Sequence, residues 1–82
     1  MNWYVVMRGR KSKSPRPTHV LIGDEDMTIW TPGMAGGTAF PARRAREIAK
    51  LKRTPTELVR AIPKTKLDQI ALEWYLEEQR IP

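Results

Sequence analysis

The residues of this chain best suited to a chemical role are its cations, which occur in two blocks. The first block has no acid within it and comprises Arg8, Arg10, Lys11, Lys13 and Arg16. The second has Glu47 as its only acid and comprises Arg43, Arg44, Arg46, Lys50, Lys52 and Arg53. Clustered positive charge attracts polyanions and acidic protein surfaces at long range. We expect folding to gather these cations onto one exterior surface that meets a negatively charged partner.

Catalytic residue types are scarce by comparison. His19 is the single histidine, and the chain has no cysteine. Ser12 or Ser14 could combine with His19 and Asp24 as a Ser-His-Asp set, but nothing in the sequence orients a carboxylate toward the imidazole. We therefore interpret His19 as a polar strand residue and predict no catalytic residues and no enzymatic activity.

The sequence also lacks a convincing metal or cofactor motif. Residues 24–26 are acidic, but a calcium loop requires alternating ligands over a longer span, so a hairpin turn is the better interpretation. Residues 33–37 are glycine-rich, but no Lys-Ser or Lys-Thr follows them as in a phosphate-binding P-loop. A weaker alternative is that backbone N–H groups of residues 38–42 hold an anion at a helix start. We predict no metal and no cofactor.

Length and composition favour one small domain. The 82 residues carry a net charge of +6, and so short a chain cannot bury a deep substrate cavity. The first residues lack a signal-peptide pattern, and the apolar runs are too short to span a membrane. We expect a cytoplasmic protein comprising a single domain, 1–82, with no membrane association and no small-molecule substrate.

Periodicity and turn residues predict the order of the elements. Aromatic and β-branched residues predict strands at 3–7, 19–22 and 27–31. A basic loop at 8–17 and a Gly-rich connector at 32–38 separate them from each other and from a helix. That helix begins near Ala42, with Pro41 in its first turn, because alanines and Ile48 recur at spacings of three and four.

Residues 54–63 fit two structures. Thr54-Pro55-Thr56-Glu57 resembles a helix start, which would make residues 42–80 a helix-turn-helix. The segment is short and bounded by prolines, so we expect a strand that returns to the sheet.

A C-terminal helix is predicted at about 66–79, starting at a capping box over residues 65–68. Its apolar face comprises Leu67, Ile70, Ala71, Trp74 and Tyr75. Leu72 and Leu76 lie off that face and are a possible oligomer contact. The predicted fold class is α+β: a small antiparallel sheet of about three or four strands, an Ala-rich helix packed across it, and this amphipathic helix completing or extending the core.

The run Thr-Ala-Phe-Pro-Ala-Arg-Arg-Ala-Arg-Glu-Ile-Ala at residues 38–49 resembles a pattern in small phage- and prophage-encoded α+β proteins. In those proteins short antiparallel strands lead to an Ala-rich helix across the sheet, and an edge strand returns. The resemblance covers residues 3–62, and the C-terminal helix departs from it. Some such proteins bind and inhibit host complexes that handle nucleic acid. The resemblance thus implies a non-catalytic binder in the host cytoplasm and transfers no functional residue.

We therefore expect a basic binding protein that engages or inhibits a host complex that handles nucleic acid. It would do so by contacting an acidic surface of that complex. The expected contact residues are Arg8, Arg10, Lys11, Lys13, Arg43, Arg46, Lys50 and Arg53. Two alternatives stay open. The same cations could bind DNA or RNA directly, or the chain could be a structural homo-oligomer or homodimer joined through Leu72 and Leu76.

Overall fold

The computed structural model describes residues 2–9, 16–23, 26–31 and 37–79. The elements in chain order are β1 (Trp3–Gly9), β2 (His19–Ile22), β3 (Asp26–Ile29), α1 (Ala42–Lys52), β4 (Glu57–Pro63) and α2 (Lys64–Gln79). The strands form one antiparallel sheet in the order β3-β2-β1-β4. The first three strands are consecutive neighbours, and β4 returns after α1 to pair with β1. The expected α+β fold is confirmed.

Strand β1 is the centre of the sheet. Its Val6 lies opposite Val20 of β2 and opposite Arg60 of β4. Successive side chains of a strand point to opposite faces, so Val5 lies on one face while Tyr4 and Val6 lie on the other. All three are buried. A strand buried on both faces requires a covering layer on each side of the sheet.

The two helices supply these layers, one on each face. Helix α1 covers a cluster made by Val5, Leu21, Ala45, Ile48, Ala49 and Val59. Helix α2 covers a second cluster made by Tyr4, Val6, Val20, Trp30 and Leu67. The C-terminal helix therefore completes the core, as expected, but it does so on the side of the sheet opposite α1.

Small residues allow α1 and the segment before it to approach the sheet closely. Ala45 and Ala49 are buried against the strands. A Cβ on Gly37 would come within 2.7 Å of Val20 Cγ2 and would also contact the Leu21 carbonyl oxygen. Pro41 has φ −61° and ψ 151° and is the N-cap, one position before the first-turn place that the sequence suggested.

The segment 57–63 is a strand, as predicted. The Thr54 hydroxyl accepts a hydrogen bond from the Glu57 backbone N–H at 3.0 Å, which is the bond expected at a helix start. The chain nevertheless continues into β4, because seven residues pair with β1 along its whole length. The helix-turn-helix alternative for residues 42–80 is therefore excluded.

Helix α2 begins at Lys64, so the capping box predicted at residues 65–68 is wrong. The backbone N–H of Lys64 instead donates to the Asn2 carbonyl at 2.9 Å, which satisfies one of the free donors at the helix start. Tyr75 was expected on the apolar face but is exposed, as are Leu72 and Leu76.

Two strands, β1 and β3, also have boundaries that differ from the prediction. Arg8 and Gly9 belong to β1, not to the basic loop, because they pair with Leu58 and Glu57 of β4. Strand β3 starts at Asp26 and ends at Ile29. Most of the basic loop, most of the Gly-rich connector and the acidic positions 24 and 25 lie outside the described residues. Neither helix in the described part of the chain has the length and apolar character needed to cross a membrane.

Leu67 should contribute far more to stability than Leu72 of the same helix. Leu67 is 2% exposed and Leu72 is 57% exposed. We expect Leu67→Ala to lower the free energy of unfolding by about 2–4 kcal/mol and Leu72→Ala to change it by less than about 0.5 kcal/mol in urea titrations. Equal losses for the two variants would contradict the placement of α2.

The first turn of α2 contains an ion pair that should raise the pKa of its lysine. The Lys64 ammonium donates to Asp68 Oδ2 at 2.7 Å, and this hydrogen bond together with the carboxylate charge raises the pKa of Lys64 above 10.5. A raised pKa in the folded state stabilises the fold below pH 10.5, and this contribution is lost as the pH rises through the folded pKa. In Asp68→Asn the Lys64 side chain should titrate at lower pH by NMR; identical midpoints would contradict the contact.

Candidate basic interface

Three cations form a line along the exposed side of α1, which we call the basic stripe. Arg43, Arg46 and Lys50 follow one another at spacings of three and four residues, and all three are exposed. The line extends about 10 Å along the helix at a rise of 1.5 Å per residue. It therefore presents a compact row of three positive charges to solvent.

The buried side of α1 fixes the direction in which the basic stripe points. Ala45, Ile48 and Ala49 are buried in the core, also at spacings of three and four. Because the burial of these residues fixes the rotation of α1 about its own axis, Arg43 and Lys50 must point away from the sheet.

An aromatic ring beneath the stripe orients its middle cation. The Arg46 guanidinium carbon lies 4.9 Å from the centroid of the Trp3 ring, within the range of a cation–π interaction. Trp3 lies on β1 and is half-buried, so it is held by the sheet. The sequence identified Arg46 but not this support, because Trp3 and Arg46 are far apart along the chain.

Two other cations, Arg44 of α1 and Arg53 just after it, have local partners. Arg44 Nη1 lies 3.7 Å from Glu47 Oε2. Arg53, predicted as a contact residue, donates from Nε to the Val59 carbonyl oxygen at 3.3 Å and so joins the end of α1 to β4. Within the described segments, neither Arg43 nor Lys50 has a carboxylate partner. Both are exposed, whereas Lys52 is half-buried, so Arg43 and Lys50 are well placed to meet an external anion.

The basic stripe has an apolar residue and an acid beside it. Leu51 is 82% exposed, the largest value among the described large apolar side chains that are exposed. Glu47 is also exposed and lies between Leu51 and the stripe on the helix surface. The exposed side of α1 is thus mixed in chemistry, with cations predominating.

Arg8 and Arg16, the described members of the first cationic block, lie away from the basic stripe. Arg8 is on β1, two residues from Val6, so its side chain is on the α2 side of the sheet. Arg16 pairs with Glu77 of α2 and lies 5.0 Å from the centroid of the Trp74 ring. The structure therefore separates Arg8 and Arg16 from α1 and does not bring these two members of the first block onto the surface of the basic stripe. Arg10, Lys11 and Lys13 lie outside the described residues.

His19 is bonded to its sequence neighbour. Its Nδ1 lies 2.9 Å from the Thr18 hydroxyl oxygen. No carboxylate of the described segments contacts the imidazole. The other members of the considered Ser-His-Asp set, residues 12, 14 and 24, lie outside the described residues. The absence of catalytic residues stays a prediction.

Two of the donors expected at the anion site considered at the start of α1 are already used within the fold. The backbone N–H of Thr38 donates to the Leu21 carbonyl at 3.0 Å, and that of Phe40 donates to the Trp3 carbonyl at 2.8 Å. These groups hold the segment against the sheet. Across residues 2–9, 16–23, 26–31 and 37–79, no three or more possible metal ligands lie together.

Leu72 and Leu76 are exposed, as the sequence indicated, and Tyr75 lies beside them on α2. Their role as an oligomer contact stays a prediction. Comparisons of the chain with protein-family models, with curated proteins and with solved structures found no match.

The contact between Arg46 and Trp3 should be measurable as a coupling energy. In a double-mutant cycle of Arg46→Ala and Trp3→Leu, we expect a coupling of about 0.5–1 kcal/mol in the free energy of unfolding. The matched cycle of Arg43→Ala and Trp3→Leu should give a value near zero. Similar values for the two cycles would show that the ring does not orient Arg46.

Proposed function

We propose that this protein is a non-catalytic binding domain that uses the exposed side of α1 to bind an acidic surface of another protein. The observation that carries the proposal is the basic stripe of Arg43, Arg46 and Lys50. The stripe is exposed on a helix whose other side is buried, and Arg43 and Lys50 have no carboxylate partner among the described residues. Such a row accelerates the encounter with an acidic partner and fixes the orientation of docking.

The residues beside the stripe favour a protein partner over nucleic acid. Glu47 would face the phosphates of a duplex laid along α1, and like charges repel. Leu51 is exposed and gains by contact with an apolar position, which a phosphate backbone does not offer. A protein surface with acidic groups around an apolar position complements the cations and the leucine together.

The proposed class of partner follows the resemblance to small phage and prophage proteins. Through α1, a basic domain can engage or inhibit a host complex that handles nucleic acid where that complex exposes an acidic surface, because clustered positive charge attracts negative charge at long range. The proposal uses Arg43, Arg46 and Lys50 as the principal contacts. Arg53 contributes mainly by holding the end of α1, because its Nε is bonded to Val59.

Charge reversal on the basic stripe should abolish partner capture. The immobilised protein is expected to retain an acidic protein from nuclease-treated lysate, and Arg43→Glu/Lys50→Glu should weaken that capture by on the order of 100-fold, about tenfold for each reversed exposed charge. The matched control is Arg60→Glu/Lys66→Glu, which makes the same change in net charge on the other side of the sheet. It should retain the partner.

A gel shift with duplex DNA at low salt separates the alternative function. We expect no shift at protein concentrations that saturate the captured partner. A shift that disappears in Arg43→Glu/Lys50→Glu, with no protein captured, would contradict the proposal and assign the stripe to nucleic acid. Retention of the captured protein by this variant would also contradict it.

A further inference from the structure

A groove on the α2 side of the sheet is separate from the basic stripe. It has a volume of about 280 Å³ and lies between β1, β4 and α2. Its floor includes Val6, Leu58, Ile62 and Ile70, all apolar. This volume is just below the usual range for small-molecule sites, which are mostly apolar with a few polar groups at defined positions.

The groove exists because α2 crosses the sheet obliquely. The helix follows β4 directly and starts at that edge. Its far half packs near the opposite edge, where Trp74 lies 5.8 Å from Trp30 by ring centroids. Helix α2 therefore leaves part of β4 uncovered, and Leu58 and Ile62 are only half-buried.

The charges around the groove favour an anion. Arg60 and Lys66 line it, are exposed, and have no carboxylate partner among the described residues. Arg8 lines it as well. Among the described residues of the lining, Glu73 is the single acid beside three cations.

The apolar floor of the groove and its cationic rim, formed by Arg60 and Lys66, together indicate the chemistry of its ligand. A compact polyanion would leave Leu58, Ile62 and Ile70 uncovered, and a neutral apolar molecule would leave Arg60 and Lys66 without a partner. A molecule with an apolar chain and one terminal negative charge satisfies both parts, because it buries its chain on the floor and pairs its charge at the rim.

We propose that this groove binds a small amphipathic carboxylate, such as a free medium-chain fatty acid. The alkyl chain lies on Ile62, Ile70 and Leu58. The carboxylate accepts hydrogen bonds from the Arg60 guanidinium and the Lys66 ammonium. This is a binding site for a ligand, not for a substrate, and it adds a small molecule to a protein whose sequence suggested only macromolecular partners.

Head-group exchange tests the proposal directly. Octanoate, octanol and octylammonium share one alkyl chain and differ in charge, and each is titrated below its micelle concentration while the methyl signals of Ile62 and Ile70 are followed by NMR. We expect saturable shifts with octanoate and an affinity at least about tenfold weaker for the other two. Absence of saturable shifts, or equal binding of octanol or octylammonium, would overturn the proposal.

Charge-neutralising variants separate this site from the basic stripe. Arg60→Gln/Lys66→Gln should weaken octanoate binding at least about tenfold, while Arg43→Gln/Lys50→Gln, with the same change in net charge, should leave it unchanged. Equal weakening by both variants would show attraction to overall charge and would overturn the proposal. Capture of the acidic protein should be weakened by Arg43→Gln/Lys50→Gln and not by Arg60→Gln/Lys66→Gln. Protein binding by the basic stripe and carboxylate binding by the groove can therefore fail independently of each other. All four positions are exposed, and circular dichroism verifies that the variants fold.

Discussion

The burial of β1 on both faces is the constraint on which the rest of the structure depends. Tyr4, Val5 and Val6 are consecutive and all buried, and β1 pairs with β2 on one side and β4 on the other. A strand of this kind cannot be stable with one covering helix, because half of its apolar surface would face water. The positions of α1, of α2 and of both candidate binding surfaces follow from this requirement.

The sequence predicted the type of nearly every element because local patterns determine them. Alternation and β-branching indicated the strands, and alanines at helical spacing indicated α1. The choice between strand and helix at residues 54–63 was harder, because Thr54 makes the hydrogen bond typical of a helix N-cap although a strand follows it. Pairing with β1 along seven residues decides that segment, and pairing is a property of the folded sheet. The start of α2 was missed for the same reason, because Asn2 supplies its acceptor.

The candidate sites were predictable in composition but not in arrangement. Spacing within one helix was enough to align Arg43, Arg46 and Lys50. It could not show that Trp3 supports Arg46, or that Arg8 lies across the sheet from α1. The groove at Arg60 and Lys66 was missed altogether, since its lining comes from β1, β4 and α2 and depends on the oblique path of that helix. The sheet thus places the described cations of α1 and those of the groove on two surfaces with different chemistry.

The late position of α2 in the chain has a consequence during biosynthesis. Trp30 is 2% exposed in the folded protein and packs on Trp74, and Val20 is covered by the same layer. A ribosome synthesises all four strands before this helix. In a partly synthesised chain the strands can therefore begin to pair while Trp30 and Val20 are still uncovered. Until α2 docks, that bare face is open to chaperones or to neighbouring nascent chains.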